Sequence, residues 1–84
     1  EWGLNRTGYK YLKANEFEKA KAIFKINIAL YLEKSNVYDS MGDAFKKEKD
    51  TLKAIEYYQK SLAINPENRN SLRNLKKLKK NTKK

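Results

Sequence analysis

The chain has 84 residues, among them 20 Lys and Arg against 10 Asp and Glu, three Gly, one Pro, and neither Cys nor His. These counts leave room for one small domain and exclude a disulfide framework, a Cys/His zinc site and His-dependent catalysis. The formal net charge of +10 suggests a nucleic-acid ligand, a reading that the placement of the charge has to test.

Leu4, Gly8, Tyr11 and Leu12 recur at helical spacing and predict a first helix. Phe17, Ala20, Phe24 and Ile28 step by three or four and predict a second, with Asn15 ahead of it as an N-cap. Tyr38, Met41, Gly42 and Phe45 mark a third helix, for which Asn36 with Asp39 three residues on forms a capping-box pattern. Ala54, Tyr58 and Leu62 mark a fourth, opened by Asp50 and closed by Asn65-Pro66. Leu72, Leu75 and Leu78 then form one apolar stripe on a basic fifth helix from Arg69 to Asn81. A single stripe covers one neighbour, as a terminal cap requires.

Laying residues 35–68 under residues 1–34 gives an ungapped register. Gly8 meets Gly42, Lys13 meets Lys47, Ala20 meets Ala54, Ala29 meets Ala63, Tyr11 meets Phe45 and Phe24 meets Tyr58. A period of this size signals stacked supersecondary units. The expected organisation is one all-α domain of five helices: a helical hairpin over 1–34, a second over 35–68, a capping helix over 69–81 and a basic tail over 82–84. Gly in a helix costs about 1 kcal/mol relative to Ala, so Gly8 and Gly42 are expected where the paired helix crosses too closely for a side chain. The aromatic rings are read as core filling around those crossings, not as a platform for stacked bases.

The charge is uneven. Residues 1–68 hold 12 basic and 10 acidic side chains, whereas residues 69–84 hold eight basic ones and no acid. No aromatic lies in that last stretch to stack on a base, which argues against a specific nucleic-acid partner. The alternative is an anionic surface or nucleic acid bound nonspecifically through 69–84.

The series Gly42, Phe45, Ala54, Tyr58, Ser61 and Pro66 resembles the tetratricopeptide repeat (TPR) family. In the first unit it reads Gly8, Tyr11, Ala20, Phe24, Asn27 and Leu32. The resemblance implies an α-α superhelix of two TPR hairpins plus a cap, acting as a noncatalytic protein-interaction or domain-stabilising module whose partner is a protein or peptide. Leu32 stands where the family ends a helix with Pro, and no Gly or Pro follows until Gly42. Fusion of helices two and three across Leu32 would favour a swapped dimer, but Asn36 as a cap favours separate hairpins. Asn27, at a usually small position, is expected near the inter-helix contact and in need of a hydrogen-bond partner. With only two repeats, self-association as a homo-oligomer is a further alternative.

More narrowly, Leu4 to Tyr9, Asn27 to Tyr31 and Asn36 to Gly42 are similar to the short repeat pair that ends many bacterial secreted or envelope serine hydrolases, esterases and penicillin-binding-like proteins. By that resemblance, and with Glu1 rather than Met first, the chain is a C-terminal piece of a larger bacterial protein, placed in the envelope or secreted; without it, the cytoplasm is expected.

By the family resemblance, peptides bind the concave face that the first helix of each unit presents. The side chains expected there are Asn5, Tyr9 and Lys13, then Asp39, Asp43 and Lys46, then Asn70, Arg73, Asn74 and Lys77. Carboxylate-clamp members of the family use Lys, Asn and Arg at positions that here hold Asn5, Tyr9, Ser40, Asn70 and Asn74, which argues against capture of a C-terminal carboxylate. Asp39 and Asp43 lie one turn apart, but two carboxylates alone make a poor cation site. Salt bridges to Lys46, Lys47 or Arg73 are expected of them instead. No catalytic residue, cofactor site or metal site is expected, and no run approaches the ~20 apolar residues of a membrane span.

Overall fold

The hydrophobic spacing folds as it reads. A computed structural model describes the backbone of residues 2–82 and the side chains of residues 3–80. It contains α1 (Trp2–Lys13), α2 (Phe17–Leu30), α3 (Ser35–Lys47), α4 (Thr51–Ile64) and α5 (Arg69–Thr82). The last helix thus runs one residue past Asn81, and Lys83 and Lys84 of the basic tail lie outside the described residues. α1 packs on α2 and α3 on α4 as two hairpins, α2 packs on α3 to join them, and α5 lies against α4. The first helices also meet one another, α1 with α3 and α3 with α5. This layered order gives a slab of 36 × 27 × 16 Å.

Each hairpin turns by the same device. Asn15 (φ 63°) and Lys49 (φ 71°) are left-handed, and the next residue reaches back to the helix it leaves. The Glu16 N–H bonds the Tyr11 carbonyl and the Asp50 N–H bonds the Phe45 carbonyl, both at 2.9 Å. With the Asn15 to Leu12 and Lys49 to Lys46 bonds at 3.0 Å, this is the paired closure of a Schellman motif. Asn15 therefore stops α1 and does not N-cap α2, where Glu16 holds the cap position without a side-chain bond. Asp50 does cap α4 through Oδ1, which accepts the Lys53 N–H at 3.3 Å.

α2 and α3 are separate helices. Tyr31 closes α2, and the Lys34 N–H bonds the Tyr31 carbonyl at 3.0 Å. The Leu32 carbonyl accepts the Tyr38 hydroxyl at 3.0 Å, so a phenol from α3 pins the turn that lacks its Pro. Asn36 is not the cap; Lys34 occupies that position with no side-chain bond. The start of α3 is set by tertiary contact instead, because Ser35 turns inward to α4, its Oγ 2.9 Å from the Ser61 carbonyl.

The core forms around the two glycines. A Cβ on Gly8 would lie 2.3 Å from Phe24 Cε1, and one on Gly42 would lie 2.7 Å from Tyr58 Cε1. The rings of Phe24 and Tyr58 thus fill the space that the missing side chains leave. Both residues are fully buried, as are Ala20 and Ala54, and each ring contributes about 1.5–3 kcal/mol by burial. Leu12, Ala20, Phe24, Met41 and Ala44 form one cluster and Ala54, Tyr58 and Leu78 another, with Phe45 packed against both. The expected leucine stripe of α5 is only partly inward: Leu78 is buried, Leu75 partly so, and Leu72 is 48% exposed. The contact line of α5 runs instead through Ser71, Asn74 and Leu78, because polar partners on α3 and α4 meet the first two.

Candidate binding face

The first helices of successive units lie side by side, so residues one period apart come into reach across α1, α3 and α5. Tyr9 on α1 donates its hydroxyl to Asp43 Oδ2, and Tyr58 on α4 donates to Asp43 Oδ1. Ser40 Oγ is 2.5 Å from Asn5 Oδ1, a second tie between α1 and α3. Between α3 and α5, Asp39 Oδ2 accepts from Asn70 Nδ2 at 2.7 Å and Asp39 Oδ1 from Ser71 Oγ at 2.5 Å. Lys46 Nζ donates to Asn74 Oδ1 at 2.6 Å, and Asn74 Nδ2 returns to the Asn70 carbonyl at 2.8 Å.

Beneath this row lies a buried hydroxyl chain. Ser61 Oγ is 2.6 Å from Ser35 Oγ and 2.8 Å from Ser71 Oγ, and Asn68 Nδ2 donates to both Ser35 Oγ and Ser61 Oγ. A serine has one proton to give. The Asp39 carboxylate, the strongest acceptor, takes that of Ser71, and Ser61 Oγ lies within hydrogen-bonding distance of both Ser35 and Ser71. Asn68 also caps α5, its Oδ1 accepting the Ser71 N–H at 3.1 Å. One residue thus ties the start of the cap helix to both ends of the preceding hairpin.

The two carboxylates are in different environments, and neither is open. Every oxygen of Asp39 and Asp43 already holds a hydroxyl or amide donor, in place of the expected lysine and arginine salt bridges. Burial pushes the Asp39 carboxyl above its ordinary value, with the Ser71 and Asn70 bonds opposing the shift. Burial, then the Asp43 charge, holds the Tyr9 and Tyr58 phenols far above the usual range, so both remain donors. Among the described residues no group of three or more acidic side chains is placed to hold a metal ion.

Of the ten residues expected on this face, Asn5, Tyr9, Asp39, Asp43, Lys46, Asn70 and Asn74 join the bonded row. Lys13, Arg73 and Lys77 are exposed and lie outside it. Sequence reasoning missed Ser35, Ser61, Asn68 and Ser71 as its support. A signal existed for Ser71, which with Asn74 shares the helical phase of the buried Leu78. Asn27 is fully buried, at the position one period before Ser61.

Stacked helical hairpins with one polar face built from their first helices define the class: an all-α helical-repeat protein. Residues 35–68 match the family model of the tetratricopeptide repeat. The second hairpin is a tetratricopeptide repeat, and the chain has the all-α fold of that family. No curated protein matches the chain. Repeats of this family generally serve protein interaction and are typically noncatalytic. None of the described helices is long and apolar enough to cross a membrane.

Proposed function

We propose that the chain is a noncatalytic module that binds an extended peptide segment across α1, α3 and α5. The observation that carries this reading is the continuous row of polar side chains from three successive helices, cross-bonded so that its geometry is set before a ligand arrives. A preorganised row avoids the ordering cost of binding. Asn5, Tyr9 and Asn70 are half-buried, and the exposed Lys46 joins the row through Asn74. Amides and ammonium groups in that arrangement suit the carbonyls of a peptide backbone and acidic side chains on it.

The ligand is an internal segment and not a chain terminus. The positions that hold a terminal carboxylate in clamp-type relatives are here Asn5, Tyr9, Ser40, Asn70 and Asn74, none of them a cation, and each already bonded to a neighbour. Peptides selected by display against the full chain test both parts. Amidating the C-terminus of a selected peptide leaves its affinity unchanged, and Lys46→Ala or Asn70→Ala lowers it about three- to tenfold, the effect of one charged or polar contact. Binding that needs a free carboxylate, or that ignores both variants, contradicts the reading.

A further inference from the structure

The repeat register continues into α5. Residues 72, 75, 76 and 79 follow residues 38, 41, 42 and 45 of α3 by one period. In α3 those positions are Tyr38, Met41, Gly42 and Phe45, and at Gly42 the ring of Tyr58 on α4 closes over the helix. On α5 the same face has no second helix of its own hairpin among the described residues. It forms a shallow groove of about 570 Å³ lined by Arg69, Leu72, Arg73, Leu75, Lys76 and Lys79.

The groove keeps the apolar half of a helix-docking face and changes the rest. Leu72 and Leu75 stand one period after Tyr38 and Met41; Leu75 packs inward against the cluster of Ala54, Tyr58 and Leu78 and forms the inner edge of the groove, while Leu72 is half exposed. Lys76 stands where Gly42 admits a ring, so an apolar helix of the α4 type cannot seat at the same depth. Arg69, Arg73 and Lys76 are exposed, and among the described residues no ion pair engages them. The occupant must therefore be helical in footprint, apolar along a narrow line and anionic beside it.

We infer that the outer face of α5 docks an acidic amphipathic helix of a partner protein, seated on α5 as α4 sits on α3 but at a larger spacing. A second copy of this chain does not supply it. α1, α2, α4 and α5 each carry more basic than acidic residues, and α3 is balanced, with Asp39 and Asp43 bonded internally. Pairing through this strip would set like charges against each other.

The test uses the full chain and a labelled synthetic peptide that forms a helix with Leu at i, i+3 and i+7 and Glu on the flanks. A scrambled peptide of the same composition controls for charge alone. Fluorescence anisotropy is expected to show saturable binding of the patterned peptide and at least about tenfold weaker binding by the doubly reversed R73E/K76E chain. The K10E/K25E chain, with the same change in net charge on exposed positions of α1 and α2, is expected to retain most of the affinity. Circular dichroism confirms that both variants stay helical. The inference is overturned if the scrambled peptide binds equally well, if K10E/K25E weakens binding as much as R73E/K76E, or if duplex DNA or phosphatidylserine vesicles bind the strip and the patterned peptide does not.

Discussion

Tyr9 and Asp43 stand 34 residues apart, at one position of two consecutive units, and the hydroxyl of the first donates to the carboxylate of the second. The buried phenol of Tyr58 donates to the other oxygen of that carboxylate. One side chain of α3 thereby binds the preceding hairpin to its own. Asp43→Ala leaves two phenols without their acceptor and is expected to destabilise by about 2–4 kcal/mol in urea unfolding, since stranding a buried donor costs more than the bond's net worth. Tyr58→Phe is expected to cost about 1–2 kcal/mol. In the double variant the two losses are expected to fall short of additivity; full additivity would show that they do not interact.

The same contact makes stability fall in alkali. Burial and the Asp43 charge raise the Tyr9 and Tyr58 phenols above their ordinary 10.0. Above that value the unfolded chain releases two protons that the folded chain keeps, so unfolding becomes easier as pH rises. The expected slope from the pair is about 2.7 kcal/mol per pH unit. Tyr58→Phe removes about half of it, which assigns the slope to the phenols. Equal slopes for the two proteins would contradict the assignment.

Glycines three and eight are predicted to respond in opposite directions. Nothing lies within 4 Å of a Cβ built on Gly3, whereas one on Gly8 would press on the Phe24 ring. Gly3→Ala gains up to about 1 kcal/mol of helix propensity. Gly8→Ala gains the same but overpacks the core at a cost of about 1–3 kcal/mol, and the net effect is expected to be lower thermal stability.

Lys49 occupies a left-handed conformation that costs a side-chain-bearing residue about 1 kcal/mol. Lys49→Gly relieves it and is expected to stabilise the chain by up to about 1 kcal/mol. Asn15→Gly, one period earlier, is expected to gain less, because Asn tolerates that conformation. A destabilised Lys49→Gly would mean that the lysine side chain does more there than close a turn.

The helices and the two glycine contacts were legible because they rest on spacing, and spacing survives without coordinates. Gly8 and Gly42 mark a close approach wherever a paired helix must cross, and Phe24 and Tyr58 follow from the same register. The caps were less legible. Asn15 and Asn36 have the chemistry of N-caps, but Asn15 was needed for a left-handed turn, and Ser35 found its partner on α4 before Asn36 was reached. Leu72 reads as core by periodicity and faces outward because Ser71 and Asn74 have hydroxyl, carboxylate and ammonium partners on α3 and α4. Such exchanges of apolar for polar contact depend on pairs of residues far apart in the chain, as do the bonds of Asp39 and Asp43 that replaced the expected salt bridges.

Ligands are expected to engage the polar row on the first helices. Titrating a display-selected peptide into the isotopically labelled full chain and following backbone amides by nuclear magnetic resonance tests this directly. The predicted result is a set of shifted amides around Asn5, Tyr9, Asp39, Asp43, Lys46, Asn70 and Asn74, with the outward faces of α2 and α4 unmoved. Shifts concentrated on α2 and α4 instead would contradict it.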